Sequence, residues 1–258
     1  MISYGISEMA VIPVRMEPSD KSEMVTQVLF GETFKITEEK NNWVFIEIIH
    51  DGYRGWIDKK LLSYSNPNYI DCSVNEPFII LSEVFTEITE KQTSEIIRIP
   101  FGSTLPCFNK EKNEFRINST IYTLAKNQEI ENNKNLIQNA RKLLNTPYLW
   151  GGKNPFGIDC SGFVQVVYKT ATIFLPRDAS KQAEIGTTID FVNNITPGDL
   201  AFFDNNEGQI IHTGILLSEK KIIHASGKVR IDTFDHQGIY NEKQQKYTHK
   251  LRIIKRII

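Results

Sequence analysis

No apolar run in the 258-residue chain approaches the roughly 20 residues that a membrane-spanning helix requires. There are only three cysteines, Cys72, Cys107 and Cys160, and an odd, widely spaced set is no disulfide framework. Neither a CxxC nor an HExxH spacing occurs, so no metal site is expected. Charge of one sign is also lacking: the formal net charge is −1, which advertises neither nucleic acid nor an anionic membrane as partner. A basic stretch runs from Lys243 to Arg256, and a solvated strand face is its better reading. The N-terminus, MISYGISEMAVIPVR, lacks a basic region followed by an apolar stretch, and the expectation drawn from it is a cytoplasmic protein.

What is present is a soluble composition, 40% hydrophobic and 24% charged, on a chain long enough for more than one domain. Residues 1–63 read as five short β-rich runs: Ala10–Val14, Val25–Leu29, Thr33–Thr37, Trp43–Ile49 and Gly55–Ile57. Turn residues such as Glu17-Pro18-Ser19-Asp20 and His50-Asp51-Gly52 separate them. Five strands in about 60 residues suggest a small barrel. Residues 64–125 read as a second, diverged all-β unit, with strand candidates at Phe78–Leu81, Glu95–Ile99 and Phe115–Leu124. The polar run 126–134, KNQEIENNK, reads as a linker.

From Asn135 the texture changes. Leu136, Ala140, Leu143 and Leu144 recur at helical spacing and stop at Asn145-Thr146-Pro147. After the loop YLWGGKNPFGID, the segment Cys160–Thr170 reads as an apolar helix. Strands are expected at 199–204, 209–217, 221–225 and 249–258. Helices followed by an antiparallel run indicate an α+β domain over 135–258.

Cys160 opens that helix. Free backbone N–H groups and the macrodipole at a helix start favour a thiolate, and the N–H of Cys160 itself is placed to bind an oxyanion. Gly162 permits close backbone approach there. A buried structural cysteine is the bland alternative, and the histidines weigh against it. His212 lies in QIIHTGILL and His224 in KIIHA, with Ser218-Glu219-Lys220 between them as a turn. A hairpin centred on Ser218 would set the two histidines opposite each other on one side, with Cβ atoms roughly 5 Å apart. One imidazole could then take the thiol proton, forming a thiolate–imidazolium pair, while the other orients it. The competing reading is two unrelated strand histidines. His50, His236 and His249 sit in turn-like or terminal contexts and read as surface residues.

The segments PYLWGG (147–152), GIDCSGF (157–163), LPR (175–177), PGDLAFF (197–203), HTGI (212–215) and His224-Ala225 occur together and in order. This set resembles the NlpC-type family of papain-like cell-wall peptidases, over roughly 130–258. The xxVR segment, the VxxGE turn, the W-VxI strand and the closing GWI of residues 1–63 resemble a bacterial SH3-like domain. The resemblance implies two SH3-like barrels before a papain-like α+β peptidase domain. It implies Cys160 as nucleophile, His212 as base and His224 as orienter, with Tyr148, Asp159 and Ser161 binding substrate. The domain order is similar to γ-D-glutamyl-L-diamino acid endopeptidases, in which the first SH3-like domain walls off the groove. That implies a murein peptide with a free N-terminal L-Ala as substrate, with Glu23 and Tyr53 reaching the site. A less selective endopeptidase or amidase on intact wall, and a non-catalytic wall-peptide binder, stay open as alternatives. No cofactor is expected, and the sequence leaves the oligomeric state open.

Overall fold

The computed structural model describes residues 3–75, 78–124 and 135–257, except for the side chains of 72–75. The linker expected at 126–134 and the side chain of Cys72 lie outside the described residues. Two units divide the chain, Met1–Lys134 and Asn135–Ile258.

All five strands expected in the first 63 residues are present: β2 (Val11–Arg15), β3 (Met24–Leu29), β4 (Thr33–Lys40), β5 (Trp43–Ile48) and β6 (Arg54–Asp58). Two more, β1 (Ser3–Ile6) and β7 (Ser63–Ser65), complete an antiparallel sheet of order β3-β2-β6-β5-β4-β1-β7. Every second residue of β5 is buried, as a half-buried strand requires. Ile12, Val14, Val28, Phe34, Val44, Ile46 and Ile57 close the core of this sheet.

The second SH3-like barrel expected at 64–125 meets a more mixed arrangement. The segment begins with a helix that sequence reading missed, α1 (Pro67–Asn75). Its signal was Asn66-Pro67: the Asn66 side chain accepts from the Tyr69 N–H at 2.8 Å, and proline suits a first helical turn. Strands β8 (Ile79–Ile80) and β11 (Thr104–Leu105) form a two-stranded ladder. Strands β9 (Phe85–Glu90), β10 (Ile96–Pro100), β12 (Glu114–Ile117) and β13 (Thr120–Leu124) form a four-stranded sheet of order β10-β9-β13-β12. The run Phe115–Leu124, read as one strand, folds back at Asn118, whose φ is 52°. Ile6 and Phe30 of the first segment are buried in one cluster with Ile88, Phe115 and Tyr122 of the second. The two segments therefore share a core. Cys107 is only partly buried against that cluster.

In the unit Asn135–Ile258, α2 (Leu136–Lys142) is capped by the Asn135 side chain. The ladder β14 (Lys153–Asn154) and β15 (Gly157–Ile158) leads into α3 (Cys160–Thr170), whose bounds match those expected from the sequence. After α4 (Ala179–Gln182) and β16 (Thr187–Thr188) come six longer strands: β17 (Leu200–Asp204), β18 (Ile210–Ser218), β19 (Lys221–Ser226), β20 (Lys228–Asp235), β21 (Gly238–Asn241) and β22 (Lys246–Arg256). Each pairs antiparallel with the next from β17 to β22, and β22 pairs back with β17. The six strands form a closed ring. Ala201, Phe203, Leu216, Ile222, Phe234, Ile239 and Ile254 fill its inside. Helix α3 packs on β18 and β19, where Thr213, Ile215, Ile223 and Ala225 are also fully buried.

Strands β20 and β21 were not foreseen. Their signal was the alternation of Val229, Ile231 and Thr233 after Gly227, the first turn residue past β19.

Candidate active site

Asp159 caps α3. Its Oδ1 accepts from the Gly162 N–H at 2.7 Å, and its Oδ2 accepts from the Gly151 N–H at 2.8 Å. Arg177, buried like Asp159, donates to both carboxylate oxygens and to Ser161 Oγ, the last at 2.8 Å. Asp159, predicted to bind substrate, is thus already fully engaged in tying the YLWGG loop to the start of α3. Removing its carboxylate would take from a buried guanidinium the carboxylate it pairs with, a loss of about 3–5 kcal/mol. Gly162 lets this happen: a Cβ there would fall 2.4 Å from the Gly152 carbonyl oxygen.

Cys160 follows as the first residue of the helix, and only 6% of it is exposed. The N–H groups of Thr213 and Ser161 point at its sulfur and favour the thiolate. Burial, reinforced by the Asp159 charge, outweighs them and pushes the thiol up to about 11. The helix start was expected to yield a thiolate. Desolvation instead leaves a neutral thiol in the resting protein. Tyr148 is half-buried and held by its N–H on the Gly227 carbonyl at 2.9 Å. Burial, and the charges that Cys160 carries at high pH and Asp159 carries throughout, push its hydroxyl up to about 12.

His212 and His224 meet, but not in the register that a symmetric turn implies. The ladder pairs Ile215 with Ile223 and Leu216 with Ile222, and a bulge precedes Ser218. This offset of two residues keeps both histidines on the inner face and makes them diagonal neighbours. Gly214 then lies beside His224, and a Cβ on it would come 2.7 Å from that of His224. His212 Nε2 and His224 Nδ1 are 2.8 Å apart. On its other side, His224 Nε2 lies 3.0 Å from Asp232 Oδ2, and Arg230 Nε donates to that same oxygen at 2.9 Å.

His249, expected at the surface, stacks on His212 with ring centroids 4.1 Å apart. Its place is fixed by β22, which sets His249 opposite Ile239. His50 is also drawn in, 3.7 Å from Glu32 and 3.6 Å from Asp51, whereas His236 is exposed as expected. Glu23 and Tyr53 lie in the other unit. The Glu23 carbonyl accepts from the Met16 N–H, and Tyr53 packs beside the first-sheet core with its N–H on Asp51 Oδ1.

Burial holds the His212 imidazole well below its ordinary value, helped by the charges of His224, His249 and Arg230. His224 is lowered by burial against the opposing pull of Asp232, and His249 is lowered to about 4, again chiefly by burial. An unfolded chain protonates these rings below about pH 6.5, whereas the folded one refuses the proton. Stability is therefore fully present above about 6.5 and is lost as pH falls. The slope is up to about 1.4 kcal/mol per pH unit for each neutral histidine. Thermal melts should show Tm falling between pH 6.5 and 4.5, less steeply in His249→Asn. A flat Tm over that range would contradict the neutral cluster.

Residues 145–252 match the model of the NlpC/P60 family. Residues 14–62 match that of the bacterial dipeptidyl-peptidase Sh3 domain. A γ-D-glutamyl-L-lysine dipeptidyl-peptidase of Bacillus subtilis (strain 168) is 31% identical over 220 residues, covering 78% of this chain and 71% of the relative. The chain belongs to the NlpC/P60 family. A Bacillus cereus (strain ATCC 10987) relative of the same name is 26% identical over 234 residues, covering 80% of this chain and 68% of that one. A solved NlpC/P60 family protein from Bacillus cereus ATCC 10987 shares the fold, with a TM-score of 0.81, 99% of both chains covered and 20% identity. Membership of the NlpC/P60 family places the chain among peptide hydrolases; which bond it cuts is a separate question.

Proposed function

We propose that the chain is a cysteine peptidase hydrolysing the bond between γ-D-Glu and the diamino acid of murein peptides with a free N-terminal L-Ala. The observation that carries the chemistry is the His212–His224 contact at 2.8 Å beside a thiol held by the N–H of Thr213, the residue after His212. On this reading His212 takes the Cys160 proton as sulfur attacks the γ-carbonyl carbon. The N–H of Cys160 steadies the developing oxyanion. His212 then gives the proton to the departing amine, and water hydrolyses the thioester.

The choice of bond rests on the domain pair and on relatives named γ-D-glutamyl-L-lysine dipeptidyl-peptidases. The test is mass spectrometry of products from L-Ala-γ-D-Glu-L-Lys, its meso-diaminopimelate counterpart, and each peptide acetylated on the L-Ala amine. A charge-assisted hydrogen bond is worth about 1.5–3 kcal/mol, so losing the ammonium and adding bulk should lower kcat/KM about 100-fold or more. Asp159 is already matched by Arg177, which leaves Glu23 as the more telling carboxylate. Glu23→Gln should weaken cleavage of the free peptide and narrow the gap to the acetylated one. Equal cleavage of free and acetylated peptides would replace this reading with a general wall endopeptidase.

A further inference from the structure

Strand β20 contributes a carboxylate to which neither the sequence reading nor the proposed mechanism gives a part. Arg230 pairs with His224 across the ladder, and Asp232, two residues on, shares its face of the strand. Asp232 Oδ2 receives two donors at once, His224 Nε2 at 3.0 Å and Arg230 Nε at 2.9 Å. We propose that Asp232, held by Arg230, is a positioning residue that fixes on which nitrogen each of the two catalytic imidazoles carries its proton.

A carboxylate can only accept, so His224 must carry its proton on Nε2. Nδ1 of His224 is then a bare lone pair, and the contact to His212 needs a donor. His212 must therefore carry its proton on Nε2. That leaves Nδ1 of His212 unprotonated and able to accept the thiol proton. No other arrangement of two neutral rings puts one proton in each contact. If Asp232 were absent, His224 could protonate Nδ1 and force the His212 proton onto its own Nδ1. His212 would then be a donor where a base is required.

Asp232 is suited to hold its charge. Burial raises its carboxyl, but the His224 hydrogen bond and the charges of His224 and Arg230 bring it below the usual carboxylate range. The titratable and charged groups set against the His212–His224 pair are Asp232 and Arg230 from β20 and His249 from β22, while Cys160 of α3 receives the N–H of Thr213, the residue after His212.

The inference rests on the reading of His212 as the base, and its first test does not require turnover. In full-length protein labelled with 15N-histidine at pH 7.5, His224 should show a protonated Nε2 and an unprotonated Nδ1, and His212 likewise. A protonated Nδ1 on either ring would overturn the proposal even in an active enzyme. Asp232→Ala should give mixed tautomers, a kcat lowered about 10- to 1,000-fold and an almost unchanged KM. Unchanged tautomers and turnover in that variant would overturn the proposal. If Asp232→Ala does not fold, Asp232→Ala/Arg230→Ala leaves no unpaired guanidinium and takes its place. Native tautomers as expected, with no hydrolysis of any murein peptide, would leave Asp232 as positioning residue and remove the substrate reading instead.

Discussion

Cys160→Ala and Cys160→Ser are each expected to lower kcat by at least about 10⁴-fold, with the fold retained. Cys160 opens α3, and the neighbouring Ser161 hydroxyl is held by Arg177 at 2.8 Å. Serine keeps the size but not the chemistry, since its hydroxyl is far harder to deprotonate than a thiol that burial has already raised. Replacing cysteine by alanine removes one atom from a buried position, a loss of about 1 kcal/mol. Arg177, Asp159 and the N–H of Gly162 still hold the helix start. Steady-state hydrolysis and a thermal melt of each variant check both halves. Appreciable turnover in either variant would remove Cys160 as nucleophile.

His212→Ala should cost nearly as much, again about 10⁴-fold in kcat, while His224→Ala should cost about 10²- to 10³-fold. Loss of the base leaves a buried thiol with no acceptor for its proton. Loss of the orienter leaves the base present but turned or wrongly protonated, a smaller defect. Alkylation of Cys160 by iodoacetamide gives an independent measure. In the native protein it should accelerate as pH rises above neutrality, because the resting thiol is protonated. If His224→Ala were inactive and His212→Ala active, the two roles would have to be exchanged.

The local pieces were legible where one residue type at one position decides the structure. The first five strands, the bounds of α3 and the face shared by His212 and His224 all followed from alternation, an apolar run after a Gly/Pro-rich loop, and turn residues. Register did not follow, because the bulge before Ser218 leaves no mark in the sequence of a hairpin that is apolar on both faces. The protonation of Cys160 did not follow either. A helix start argues for a thiolate, and only the structure shows how completely α3 is buried. His249 and Asp232 were missed for one reason: each reaches the histidine pair through strands far along the chain, and no spacing rule joins 212, 232 and 249. Closure of the sheet into a ring is likewise a long-range fact, set by β22 pairing with both β17 and β21.

That closing strand has a consequence in time. The thiol-bearing helix is complete by residue 170, yet the wall holding His212 is finished only when β22 lies between β17 and β21, some 50 residues after β17 in the chain. Pairings this distant form late, after the local helices and hairpins. A chain still being synthesised would thus carry Cys160 and the β18–β19 hairpin with His212 and His224 before the strand that closes the ring. Until β22 docks, His212 would lack the stacked His249 ring and the finished wall behind it, so the histidine pair would be present in the half-made protein before it is held in place.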